Sequence, residues 1–317
     1  MSTPSISVVI VSWECSEELL ACASSLAPLV AAAGGPVEVV VVDNASREFP
    51  SGELQRRLPG VRIIRNHANR GFGPAANQGA AAATGDIVLL LNPDTVAIGS
   101  PFPALLEAFG SSPAPVAVAP ALVDLHADGA LAQDEFQLRR FPTLGQACRE
   151  LLLVDRLWPS NRWLRHQRYL DEDRIRPFAV EQPAAASLAV RRSTFLELSG
   201  FDERYVPAWF EDVDLCLRLS RHGPIVFWPQ ARFAHVGGVA SRKLGYDRFL
   251  PIYYRNACRF WHTHHGLGAA LAFRTLLVAG MLLRLALLPF PSEKAPTRRV
   301  AARATLRTLT QALHTTR

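Results

Sequence analysis

GDIVLLLNPD, residues Gly85–Asp94, decides the fold. Ile87–Leu91 is an unbroken apolar run, which is how a strand buried on both faces of a parallel sheet reads. It stops at Asn92-Pro93-Asp94, a stiff turn that leaves a carboxylate just past the carboxyl end of the strand. Upstream, Ile6–Val11 (ISVVIV) and Val37–Val42 are runs of the same kind, the second ending at Asp43-Asn44. Val61–Arg65 is a shorter one. Between them, Glu17–Ala33 and Pro74–Ala83 are rich in Ala and Leu and are read as helices, closed at Gly34-Gly35 and Thr84-Gly85. Strands alternating with helices predict a doubly covered, mostly parallel α/β sheet. Ligands of such sheets bind beyond the carboxyl ends of the strands, where Asp43 and Asp94 stand.

The 317 residues are enough for one large α/β domain with an appendage, and with 49% apolar and 20% charged residues the chain can bury a core. A net charge of +6 suits nucleic acid, anionic membrane or phosphorylated substrates without choosing among them. No zinc finger, helix-turn-helix or RNA-binding aromatic signature is present, so no nucleic-acid partner is expected. Cys15, Cys22, Cys148, Cys216 and Cys258 form no CxxC pair and read as reduced thiols, as in a cytoplasmic protein. The N-terminal residues lack the features of a signal peptide, and none is expected.

Several motifs carry chemical groups. Asp43 is placed to accept hydrogen bonds from a base or ribose, although Asp-Asn is also ordinary turn chemistry. In Asn66–Gln78 (NHANRGFGPAANQ), Gly71 and Gly73 permit close backbone approach, and Pro74 opens a helix whose N-terminus favours phosphate. A plain strand-to-helix loop reads the same way. Ser12-Trp13-Glu14-Cys15 holds no glycine after the first strand, which counts against a nicotinamide site. Asp94 suits a divalent ion held against a diphosphate, and oxygen donors point to Mg²⁺ or Mn²⁺. In Gly200–Arg218 (GFDERYVPAWFEDVDLCLR), read as helical from Trp209, Glu211, Asp212 and Asp214 crowd a helix start, which the helix dipole alone would favour. An acid there, beside Trp209 and Phe210, can also serve as a general base. His235 gains meaning from its company, since Asp94, Asp212 and His235 together make a metal-plus-base set.

In order, VVIVSW, VVVDNAS, NRGFGPAANQG, GDIVLLLNPD, GFDERY…WFEDVDLCLRL and the His of HVGG resemble family 2 inverting glycosyltransferases of the GT-A fold. Among these the chain resembles bacterial rhamnosyltransferases that use dTDP-L-rhamnose. The likeness runs from Ile6 to Gly238 and more loosely through Tyr253–Gly266. It implies a GT-A catalytic domain over residues 1–265, with a nucleotide-binding half to about 125 and an acceptor half from 126. It also implies roles. Asp43 would bind the base or ribose, with Val11 and Ser12 lining that pocket. Arg70, Gly71 and Asn77 would lie beside the nucleotide and its phosphates. Asn92 and Asp94 take the place of the metal-binding acid pair, and His235 completes the metal shell. Asp212 matches the catalytic base, with Glu211 as an orienting or acceptor-binding group. The implied partners are a nucleotide-sugar donor, dTDP-rhamnose, and a saccharide or polyprenyl-diphosphate-linked acceptor in cell-envelope glycan synthesis. Two departures stand out: Pro183–Ser187 lacks the usual Trp and Gly-Ala pair, and Glu14 stands where Asn is frequent. A nucleotidyltransferase would show a Gly-rich loop with Lys after the first strand, absent here. A non-catalytic nucleotide-sugar-binding protein would not need the acid–acid–His set.

Residues 266–317 form a distinct tail. Leu267–Phe290 is long enough to tempt a transmembrane reading. Arg274 and Arg284 lie inside it, and Arg at a bilayer centre costs roughly 2.5–3.5 kcal/mol even on insertion scales. An interfacial helix with snorkelling arginines fits better, followed by a basic amphipathic stretch, Arg298–Leu313, on the anionic inner face of the plasma membrane. Two helices packed on the catalytic domain, or a dimer contact, are the alternative.

Overall fold

The computed structural model describes residues 4–33, 37–125, 131–235, 244–287 and 298–314. Gly34-Gly35, Val236–Gly238 and the end of the Leu267–Phe290 run lie outside the described residues.

The first half builds β1 (Ile6–Ser12), α1 (Ser16–Ala32), β2 (Val37–Asp43), α2 (Ser51–Arg57), β3 (Arg62–Arg65), α3 (Phe72–Ala82) and β4 (Ile87–Leu91). Next come β5 (Thr95–Ile98), α4 (Pro101–Gly110) and β6 (Ala117–Leu125). The middle carries β7 (Leu131–Gln133), β8 (Leu138–Arg139), α5 (Leu144–Leu151), α6 (Val154–Leu157) and α7 (Arg162–Gln167). Then follow β9 (Phe178–Val180), β10 (Gln182–Pro183), β11 (Ser187–Arg191), α8 (Arg192–Glu197), α9 (Glu211–Leu219) and β12 (Ile225–His235). The chain closes on α10 (Tyr246–Leu287), broken at Gly266, and α11 (Arg298–His314).

The main sheet runs β3-β2-β1-β4-β11-β6-β12-β5, with β7 and β9 on its flanks. The four strands from β3 to β4 are parallel. β11 is antiparallel to both neighbours, β12 is parallel to β6, and β5 is antiparallel to β12. The sheet is therefore mixed, as the α/β reading allows, and the reversed strands carry the later motifs back to the same rim.

In the parallel half, β1, β2 and β4 are buried on both faces, while the edge strand β3 is not. Val8 and Ile10 pack with Leu19 and Leu26 of α1, while Val9 packs with Ala76 and Ala80 of α3. This removes the alternation a half-exposed strand would show and explains the continuous β-branched runs. A third core cluster joins α5 and α9 to the tail: Leu151, Phe210 and Val213 pack with Phe260, Leu277 and Met281. α10 breaks at Gly266, and one core spans that break. Trp209–His222, read as one helix, starts later: Trp209 and Phe210 have left-handed backbones, with φ of 74° and 73°. The helix itself begins at Glu211.

Candidate active site

A cavity of about 390 Å³ opens at the carboxyl ends of the central strands. Val11, Trp13, Cys15, Asn44 and Gly71 line one part of it, and Asn92, Pro93, Asp94 and His235 another. Ala184–Ala186, Trp209, Glu211 and Asp212 complete the wall.

Asp94 and His235 meet because β12 pairs with β5 so that His235 lies opposite Thr95. His235 Nε2 is 3.4 Å from Asp94 Oδ1, and its Nδ1 is 4.0 Å from Asp134 Oδ2. Nε2 is buried and makes no hydrogen bond. Burial alone would depress the imidazole; the Asp134 and Asp94 carboxylates outweigh it and push His235 up to about 9. Burial would raise Asp134, but the nearby His235 imidazole and a hydrogen bond from the Phe136 N–H hold it below the usual carboxylate range. An orphaned imidazole nitrogen facing a carboxylate at the cavity wall is a donor pair that fits a divalent ion. Asp134 then supports His235 from behind, as outer partners of metal-binding histidines do. Among the described residues no group of three His, Cys, Asp or Glu side chains gathers to hold an ion. Oxygens of a bound diphosphate would have to complete the shell.

The acids at the start of α9 divide their work. Asp214 is structural: Oδ2 accepts from Arg218 at 2.6 Å, and Oδ1 lies 2.6 Å from His264 Nε2 of α10. Asp212 faces the cavity, with Oδ2 accepting from Gln182 Nε2 at 3.3 Å and Oδ1 from the Val213 N–H. Burial raises Asp212, and the Arg139 guanidinium opposes that rise. Glu211 is buried, its Oε2 makes no hydrogen bond, and burial followed by the neighbouring Asp212 charge pushes it well above the usual range. Donors surround Asp212 and none reaches Glu211 Oε2, so of the two acids Glu211 is the one whose charged form is the more disfavoured. The left-handed turn that aims both acids is fixed by buried Asn256, whose Nδ2 donates to Ala208 O and Trp209 O at 2.9 and 3.0 Å.

The remaining expected residues are placed unevenly. Gly71 lines the cavity with φ of 90°, and a Cβ there would come within 3.0 Å of Pro207 O, so only glycine fits. Asn44 clamps this loop, donating to Asn69 Oδ1 and Gly71 O and accepting from Asn66 Nδ2 and the Arg70 N–H. Val11 lines the cavity, whereas Ser12 is buried behind it beside Cys15. Asp43 is buried next to Asn44, and its oxygens accept from the Ser46 N–H and Arg65 Nε, both at 3.1 Å. The Arg70 side chain is exposed outside the lining. Asn77 is not in the lining either; its amide bonds Phe201 O and its oxygen accepts from the Phe201 N–H. Its position pins the Gly200-Phe201-Asp202 turn instead of facing phosphates. Glu14 points away from the cavity, accepting from the Arg47 N–H at 3.0 Å, which removes the expected conflict with a diphosphate.

Sequence reasoning missed Asp134, Arg139, Gln182 and Asn256. Arg139 and Gln182 face each other on the small β8–β10 ladder, too short for a periodic signal.

The tail differs from the expected snorkelling helix. Arg274 donates to Ala312 O at 2.6 Å, and Arg284 to Leu151 O at 2.7 Å. Both turn inward because free helix-end and loop carbonyls lie within reach.

A curated relative, the N-acetylglucosaminyl-diphospho-decaprenol L-rhamnosyltransferase of Mycobacterium tuberculosis, is 32% identical over 226 residues, covering 66% of this chain and 70% of that one. Among solved structures, GalNAc-T7 with UDP, GalNAc and Mn²⁺ superposes with a TM-score of 0.56 at 14% identity over 99% of this chain, which spans 56% of the GalNAc-T7 chain. The mannosyltransferase PcManGT of Pyrobaculum calidifontis with GDP-Man and Mn²⁺ superposes with a TM-score of 0.54 at 15% identity, over 99% of this chain and 88% of that one. At such identities the likeness speaks for the fold alone. The family model for glycosyl transferase family 2 matches residues 7–167, and with the relative's identity this shows that the chain belongs to that family.

Proposed function

We propose that the chain transfers L-rhamnose from dTDP-L-rhamnose, with inversion, to a hydroxyl of a polyprenyl-diphosphate-linked saccharide at the inner face of the plasma membrane. The observation that carries the chemistry is the convergence of Asp94, His235 and Asp212 on one cavity. The sugar and the lipid-linked acceptor are supported by the similarity to the mycobacterial enzyme.

Asp212 takes the proton of the acceptor hydroxyl, and that oxygen attacks the anomeric carbon from the face opposite the nucleoside diphosphate. The new C–O bond forms as the bond to the diphosphate breaks, so configuration inverts. Gln182 holds the carboxylate of Asp212 in place, and protonated Glu211 adds no second negative charge beside it. Asp94 and His235 would hold Mg²⁺ or Mn²⁺. When bound, such an ion neutralises charge on the leaving diphosphate. Trp13 and Trp209 supply broad faces that keep water from the reacting centre. General-base assistance of this kind is worth about 10²–10⁴ in rate.

Thermal shifts with dTDP-, UDP- and GDP-sugars, each with Mn²⁺ and with Mg²⁺, test the donor. The largest stabilisation is expected from dTDP-rhamnose. A larger shift with a UDP- or GDP-sugar would overturn the donor assignment and leave the family standing.

A further inference from the structure

Two exposed apolar surfaces lie outside the active site, on elements that share one core cluster. One is the face of α10 after the Gly266 break. Leu267 (64% exposed), Leu271, Ala279 and Leu282 (53%) point outward at helical spacing. Its only charged residues, Arg274 and Arg284, are turned onto protein carbonyls, so no charge interrupts the stripe. The other surface follows α5, where Leu157 is 84% exposed and Trp158 54%, with Trp158 edge-on to Trp163 at 6.0 Å. Arg162 lies 5.1 Å over the Trp163 ring. The elements that carry them are locked together on their buried sides, where Arg284 bonds Leu151 O and Gly280 packs so closely on Leu151 that a Cβ would come within 2.7 Å of its carbonyl. Beside the stripe, α11 exposes Arg299 and Arg303.

We infer that the Leu157–Trp163 segment and the outer face of α10 form one membrane-docking surface, which seats on an anionic phospholipid bilayer without spanning it. Indole rings and leucines enter the headgroup boundary, where a Trp has both an apolar and a wet side. Arg162, Arg299 and Arg303 complement the lipid charge. A membrane-spanning α10 would have to strip Arg274 and Arg284 from their carbonyls and pull apart the core shared by Leu277, Met281 and Leu151. The surface deepens the membrane part of the proposed function and rests on it only for its biological purpose.

The test is flotation of the intact chain with vesicles of phosphatidylcholine alone and of phosphatidylcholine mixed with phosphatidylglycerol. The parent chain is expected to float with the mixed vesicles. Leu271→Ser/Leu282→Ser and Leu157→Ser/Trp158→Ser should each lower partitioning about tenfold or more, with unchanged melting temperature, because the replaced side chains are exposed. Arg299→Ser/Arg303→Ser should lose about fivefold per arginine on mixed vesicles only. A parent chain that stays at the bottom of the gradient overturns the proposal. So do variants that float as well as the parent, or that break a dimer while still floating. Donor binding, followed in parallel by thermal shift, separates the two readings: vesicle binding without any donor binding would sink the sugar chemistry and leave the docking surface intact.

Discussion

Nε2 of His235 stands 3.4 Å from Oδ1 of Asp94, and the pairing of β12 with β5 puts it there. The strand register therefore sets the spacing of the donor pair. Chelation should abolish donor-induced stabilisation, and added Mn²⁺ or Mg²⁺ should restore it. Asp94→Ala and His235→Ala should each weaken metal-dependent donor binding about tenfold or more, by calorimetry, as loss of support at a metal site commonly does.

Arg139 is the cation that opposes the upward shift of Asp212. In the proposed mechanism the ionised form of Asp212 is the base, so activity is expected to fall as pH drops through its pKa. Arg139→Gln removes the opposing charge and should move the acid limb of kcat/KM to higher pH, while turnover at alkaline pH recovers toward that of the parent. A pH–rate profile of both proteins checks this; an unmoved limb would remove Arg139 from the account.

Glu211 is a buried acid held well above its ordinary range. Its stabilising contribution is complete below the unfolded carboxylate range, about 4.3, and is lost as pH rises through the folded value. Glu211→Gln should therefore melt higher than the parent at pH 8, with the difference shrinking toward pH 4. Parallel melting curves at the two pH values decide it.

Asp214 ties α9 to α10 through His264 and pairs with Arg218. Asp214→Ala leaves Arg218 without its carboxylate in a buried setting and should cost about 3–5 kcal/mol of stability. Denaturant unfolding monitors the loss, and a near-neutral change would mean the pairs are incidental.

The parallel half of the sheet was legible because burial on both faces writes continuous apolar runs, and β4 was read to its end residues. The acids at strand and helix ends were legible because they follow such runs directly. β5 and β6 were missed, since Thr95–Ile98 is short and Pro120 interrupts the run within β6. The roles of Asn77 and Asp43 depend on partners distant in the chain, Phe201 and Arg65. No local pattern encodes those contacts. The inward turn of Arg274 and Arg284 is likewise a tertiary outcome: the apolar spacing was visible, but the carbonyls that capture the guanidiniums were not.

The central claim is that Asp212 is the base in a cavity whose donor-binding parts are separate from it. Single-turnover sugar transfer by Asp212→Asn, with donor affinity measured on the same preparation, tests it most directly. The account predicts a loss of about a hundredfold or more in rate with donor affinity nearly unchanged. Parent-like turnover by Asp212→Asn would contradict it.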